Sequence, residues 1–240
     1  MTNVSLLTVT HDPKGKSISL IKSVQHVLES IYSGLYITVS EESSTELITL
    51  LRNSTLHVKI IPKKGAAHAR REAVKFGLSS NSGYFHYADF DRILAWASYH
   101  EQELKQVVAE ISNQDYLIIG RTERAFQTHP VEWVETEKIT NKICSLELNQ
   151  EVDITAGSCA FSKEAANYID LYSKEKMTDA EWAMIVHRIA GLNVATCKVN
   201  GLEYREEVNG VNYSTSTAET WLSRLKLSMI ISETACRVGK

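Results

Sequence analysis

The chain has 240 residues and a formal net charge of −3, from 26 basic and 29 acidic side chains. That length suits one large α/β domain or two small ones, and can bury a sizeable core. The slightly acidic balance gives no polyanion-binding signature and argues against nucleic acid as a partner. Cys144, Cys159, Cys197 and Cys236 are scattered without zinc-like pairing and read as reduced thiols of a cytoplasmic protein. No stretch approaches the ~20 apolar residues of a membrane span, and no secretory leader is expected at the N-terminus.

In chain order, a β-prone run at residues 5–10 closes on the turn His11-Asp12-Pro13-Lys14-Gly15. Ile18, Ile21, Val24, Val27, Leu28 and Ile31 recur at helical spacing and predict a helix over 17–32. A second strand is expected over 35–39, a helix over 44–51, and a third strand over 56–61, stopped by Pro62. A helix over 66–76 ends at Gly77, and a fourth strand fills 83–88. A helix over 96–111 and a fifth strand over 116–119 follow. This alternation predicts βαβ units in a mostly parallel, Rossmann-like central sheet flanked by helices.

Ligands in such sheets sit beyond the carboxyl ends of the strands. The ends of strands one, two and four then converge on a crevice: Thr10, Ser40-Glu41-Glu42, and Asp89-Phe90-Asp91. Asp89 and Asp91 close an aromatic run, and paired acids at a strand mouth are costly unless solvated or held by a cation. The functional reading is a divalent metal, Mn²⁺ or Mg²⁺, that also contacts a diphosphate. The bland reading is a solvated turn.

The order of these segments resembles the donor half of GT-A-type glycosyltransferases, particularly the family-2-like group. The residues that carry the resemblance are the acidic turn Val39-Ser40-Glu41-Glu42-Ser43-Ser44, the helix start Lys64-Gly65-Ala66-Ala67-His68-Ala69-Arg70, and Ala88-Asp89-Phe90-Asp91. Thr178-Asp179-Ala180-Glu181-Trp182 is similar to the family's Glu-Asp motif, and the segment 153–162 to its acceptor-side strand and turn. Ser-Glu-Glu in place of the family's acid pair, and Arg71 where Asn is common, are departures.

The resemblance implies a metal-dependent transfer of a sugar from a nucleotide-sugar donor to an acceptor hydroxyl. The acceptor is a small molecule, a glycan or a lipid-linked group. It implies donor contacts at Thr10, Glu41, Arg70 and Asp89, metal contacts at Asp89 and Asp91, and an acceptor wall containing Gly157. Asp91 is the expected direct metal ligand, and Glu203 and Glu206 are candidates for a third. Asp179 is the expected base for the acceptor proton; its bland reading is an acid favouring a helix start. Arg121 and Arg124, three apart, face the same way if their segment turns helically, and offer forks for an acceptor carboxylate or phosphate, or for the donor phosphates. Their alternative is a surface cluster.

The implied organisation is one domain: a donor half to residue 125, an acceptor half over 126–205, and a C-terminal helical extension over 206–240. An Asn/Ser/Thr-rich joint over 212–217 precedes a helix over 218–238. That helix is expected to pack back on the domain; a homodimer seam or a place on a membrane surface are its other uses. Two other readings stand. A sugar-1-phosphate nucleotidyltransferase needs a glycine-rich loop after strand one, where this chain has only Gly15. A non-catalytic nucleotide- or sugar-binding module leaves Asp91 and Asp179 without a role.

Overall fold

The computed structural model describes residues 3–210 and 216–240. Seven strands form one sheet: β1 (Val4–Thr10), β2 (Gly34–Ser40), β3 (His57–Ile61), β4 (Tyr84–Ala88), β5 (Tyr116–Arg121), β6 (Ser158–Ser162) and β7 (Val194–Val199). Their order is β3-β2-β1-β4-β6-β5-β7. β6 runs antiparallel between β4 and β5, and the other pairings are parallel. The mostly parallel sheet expected from the sequence is therefore present, with one reversed strand at its centre.

Period-two alternation sorts the strand side chains into two layers. Val4, Leu6, Leu117 and Ile119 face one core, while Leu7, Tyr116 and Ile118 face the other. The first core is covered by α1 (Ile18–Ile31), α2 (Thr45–Arg52) and, after the strand β4, α4 (Phe90–Tyr99) and α5 (Glu101–Glu110). The second is covered by α3 (Ala66–Leu78) and by helices from the second half of the chain. Burial of Ile21, Val24, Val27, Leu28 and Ile31 on α1 follows the helical spacing seen in the sequence.

Two helix boundaries differ from expectation. Gly77 does not end α3 but lies inside it, where an added Cβ would stand 2.6 Å from Leu7 Cδ2. The glycine lets the helix lie close on β1. The helix expected over 96–111 is two: α4 (Phe90–Tyr99) and α5 (Glu101–Glu110), broken at His100 (φ −139°, ψ 44°). Asp89 is thus the extended N-cap residue of α4 and Asp91 lies in its first turn. Phe90, Ile93, Leu94, Trp96 and Ala97 bury the face that fixes this early start.

Further along come α6 (Glu123–Phe126), α7 (Val131–Leu148), α8 (Lys163–Tyr172), α9 (Thr178–Met184), α10 (Glu206–Asn209) and α11 (Ala218–Arg237). A π-helical turn, Ile185–Ile189, extends α9. α7 and α8 have no counterpart in the sequence expectations. α11 packs back on the domain, as expected; Ser228 on it and Thr140 on α7 join through their hydroxyls at 2.6 Å. Leu222, Leu225 and Met229 form an exposed stripe on its outer side. The expected joint lies mostly outside the described residues; Thr217 closes a capping box with Thr220 at the start of α11. Among the described residues no helix is long and apolar enough to cross a membrane.

The Gly77 contact predicts that Gly77→Ala destabilises the fold. Overpacking against the fully buried Leu7 costs about 1–3 kcal/mol, against about 1 kcal/mol gained in helix propensity. The urea midpoint should fall; an unchanged or raised midpoint would show that the helix moves freely away from β1.

Candidate active site

Arg70 is the organising side chain of the site. It lies one turn into α3, is 8 % exposed, and reaches across the strand ends. Its Nη2 donates to Asp89 Oδ2 at 2.9 Å and Oδ1 at 3.2 Å. Its Nη1 donates to Asp179 Oδ2 at 2.9 Å and Thr178 Oγ1 at 3.1 Å. Burial works against the guanidinium charge, but Asp179 and Asp89 outweigh it and raise the Arg70 pKa well above the usual range. The Tyr87 ring, 5.6 Å from the guanidinium, completes the surround, and its hydroxyl donates to Asp89 Oδ1.

A loop arches over these groups because of a glycine. Gly157, at φ +75°, stands where a Cβ would come within 3.0 Å of Asp89 Oδ2. Its carbonyl accepts from the Asp89 backbone N–H at 3.1 Å. Any side chain here would meet both positive-φ strain and the carboxylate. The preceding residues are pinned by Arg121, which is buried at the end of β5 between Asp153 and Glu137, with nitrogen–oxygen distances of 2.8 Å to each. Those acids, working against its burial, raise its pKa.

These groups border a cavity of about 250 Å³, whose walls include Asp91, Asp179, Gly157, Trp133 and Arg224. Asp91 is half-buried, and its Oδ2 accepts from Asn209 Nδ2 at 2.7 Å. Of the expected residues, Arg70, Asp89, Asp91, Arg121, Gly157 and Asp179 meet at this cavity. Thr10 and Glu41 do not line it; they lie at the adjoining ends of β1 and β2. Arg124 lies apart, on α6, where it pairs with Glu203 at 2.5 Å. Arg121 and Arg124 share no face, since one ends a strand and the other begins a helix. Glu203 is held by Arg124, Arg205 and His100. Despite its burial, these partners lower its pKa to about 2.

Sequence reasoning missed Asn209, Tyr87, Arg92 and Arg224. Trp182 is core, edge-on to Tyr87 and Phe161. Trp133 instead carries the Arg224 guanidinium 3.3 Å above its ring. Arg92, beside the acid pair, had a signal in the sequence; Asn209, 118 positions from Asp91, had none.

Two buried histidines underlie the site. His86 on β4 bonds Tyr32 at 2.6 Å and Ser158 at 2.9 Å, and burial lowers its pKa to about 3. His129 is lowered to about 2 by burial, then by Arg92 and Arg121. Both stay neutral in the fold at a pH where the unfolded chain binds protons, so stability is full above about pH 6.5 and falls as pH drops. The expected slope between pH 6 and 5 is about 2–3 kcal/mol per pH unit for the two together. Urea unfolding across that interval measures it, and His129→Gln should halve the slope.

No family model matches the sequence, and no curated protein matches it. Solved structures do share the fold. Glucosyl-3-phosphoglycerate synthase from Mycobacterium tuberculosis, in complex with Mn²⁺, UDP-glucose and phosphoglyceric acid, matches with a TM-score of 0.63 at 12 % identity, over 100 % of this chain and 81 % of that one. The same enzyme with glycerol 3-phosphate matches with a TM-score of 0.62 at 12 % identity, over 100 % and 82 %. A mycobacterial protein matches with a TM-score of 0.62 at 12 % identity, over 100 % and 76 %. The fold is the GT-A type expected from the sequence motifs.

Proposed function

We propose that the chain is a glycosyltransferase that moves a sugar from a nucleoside-diphosphate donor to an acceptor hydroxyl. The observation that carries this reading is the meeting of Asp91, Asp89, Arg70 and Asp179 at one cavity beyond the end of β4. In this reading the donor lies along the ends of β1 and β2, near Thr10 and Glu41, and its diphosphate reaches toward Asp91. The acceptor enters the cavity bounded by α7, α9 and α11. Its hydroxyl oxygen bonds the anomeric carbon as the bond from that carbon to the diphosphate breaks, and the hydroxyl proton passes to Asp179. Arg70 orients both Asp89 and Asp179 for this geometry.

A divalent cation fits the residues in a limited way. Asp89 has both oxygens occupied by Arg70 and Tyr87, while Asp91 gives only one oxygen to Asn209. Among the described residues no cluster of three His, Cys, Asp or Glu stands ready for a metal. Asp91 is therefore the direct ligand in this reading, with water and donor phosphate supplying the rest, as Mn²⁺ and Mg²⁺ accept. When bound, the cation would neutralise the charge that builds on the departing diphosphate. Asp89 serves through Arg70 rather than as a first ligand. Arg121 serves the acceptor side indirectly, by holding the loop that ends in Gly157.

The nucleotidyltransferase reading meets a specific obstacle. In the turn after β1 the Asp12 carboxylate accepts from the backbone N–H groups of Lys16 and Ser17 at 3.0 and 2.9 Å. A carboxylate already occupies the amides that a triphosphate would need, and it would repel that ligand.

Release of nucleoside diphosphate from a panel of nucleotide sugars, with and without Mn²⁺, tests the proposal. Asp91→Ala should abolish metal-stimulated release while leaving the unfolding curve cooperative. Asp179→Asn should lower turnover by about 10²–10⁴-fold with nucleotide affinity nearly unchanged; full turnover would remove Asp179 from the mechanism. Pyrophosphate release from a nucleoside triphosphate would favour the rejected alternative.

A further inference from the structure

Four arginines border the cavity: Arg70, Arg92, Arg121 and Arg224. Two of them are neutralised within the fold, Arg70 by Asp89 and Asp179, and Arg121 by Asp153 and Glu137. Arg92 is different. Its Nη1 is buried without a hydrogen-bond partner, and no ion pair joins it to an acid among the described residues. A guanidinium nitrogen removed from water and left without an acceptor is costly, and at a cavity wall an acceptor from a bound ligand or water relieves that cost.

Its surroundings say which ligand. Arg92 acts electrostatically on His129 and on the Tyr204 hydroxyl, and Arg224 acts on the same Tyr204 hydroxyl. Arg224 is steadied over Trp133, itself a wall of the cavity. His129, Trp133 and Tyr204 pack as one aromatic group, with ring centroids 5.6–6.1 Å apart. Three elements, α4, α7 and α11, thus bring two cations to the same region of the cavity. The acids that also act on Tyr204 are Glu206 and Glu132, and Arg92 pairs with neither. The strand ends carrying Thr10 and Glu41 lie outside this cavity, so the cations belong to its acceptor side.

We propose that Arg92 and Arg224 form an anion subsite that grips a phosphate or carboxylate of the acceptor, while its hydroxyl is presented toward Asp179. The expectation that placed this role on Arg121 and Arg124 is replaced: the first is neutralised in the fold and the second lies outside the cavity. The identity of the ligand as an acceptor rests on the transfer reading above; the anion subsite itself does not. Guanidinium groups suit it because two N–H donors can meet two oxygens of one anion, and a cation fixed on an aromatic ring loses little freedom on binding.

Calorimetric titration of the full chain with glycerol 3-phosphate, inorganic phosphate, glycerate and neutral glycerol tests the subsite. The first three should bind and glycerol should not. Arg92→Met and Arg224→Met should each weaken glycerol 3-phosphate binding about 10- to 100-fold, the loss of a charge-assisted hydrogen bond. Affinity for UDP, GDP or ADP with Mn²⁺ should stay unchanged in both variants. Arg92→Met should also unfold at the same or a higher temperature than the parent chain, because it removes a buried nitrogen without a partner. Equal binding of glycerol and glycerol 3-phosphate would overturn the proposal, as would undiminished binding in both variants. A parallel loss of nucleotide affinity would assign the arginines to the donor and overturn it too. Anion binding that depends on both arginines, in a chain that releases no nucleoside diphosphate from any nucleotide sugar, would uphold the subsite and sink the transfer reading alone.

Discussion

The site depends on one cation shared between two acids. Asp89 comes from the end of β4 and Asp179 from the start of α9, and their mutual repulsion in a partly buried place would drive these elements apart. Arg70 sits between them with a distance of 2.9 Å to each. Removing one partner from such a buried arrangement typically costs about 3–5 kcal/mol, since a desolvated charge is left behind. The same contact fixes α3, β4 and α9 relative to one another, so the positions of the acids at the cavity follow from it.

The reversed strand β6 is the second constraint. By pairing antiparallel with both β4 and β5, it brings the loop before it to the same edge as Asp89. Gly157 then lies directly over that carboxylate, which only a residue without Cβ allows. Arg121 anchors the other end of the loop through Asp153, with Asn141 also donating to Asp153 at 2.7 Å. A parallel strand in this position would have carried the loop to the opposite edge, away from the acids.

Charge around the cavity is divided by burial. Arg70 and Arg121 are each enclosed by two carboxylates and serve the fold. Asp91 and Arg92, neighbours in the first turn of α4, both border the cavity and neither is closed off by an ion pair with a distant residue among the described residues.

The sequence by itself determined the local order: the five strands of the first 121 residues, the helices α1, α2 and α3 between them, and the acid pair at the mouth of β4. Period-two and period-3.6 patterns act over a few residues and require no distant partner. It also carried Asp179 and Arg70 as members of short motifs. The tertiary structure decided what those residues face. Arg70 meets Asp179 across 109 positions, and Asn209 meets Asp91 across 118; no local pattern encodes such pairs. The early start of α4 was hidden because an aromatic run continues from strand into helix without a change in composition. α7 was hidden because its buried face holds Glu132, Thr136 and Thr140 beside Val134 and Cys144, polar groups that only the packing of α11 and the cavity makes internal. Whether an arginine is neutralised or left open to a ligand depends on which acids the fold brings within 4 Å, and that is settled by the sheet order, not by neighbours in the chain.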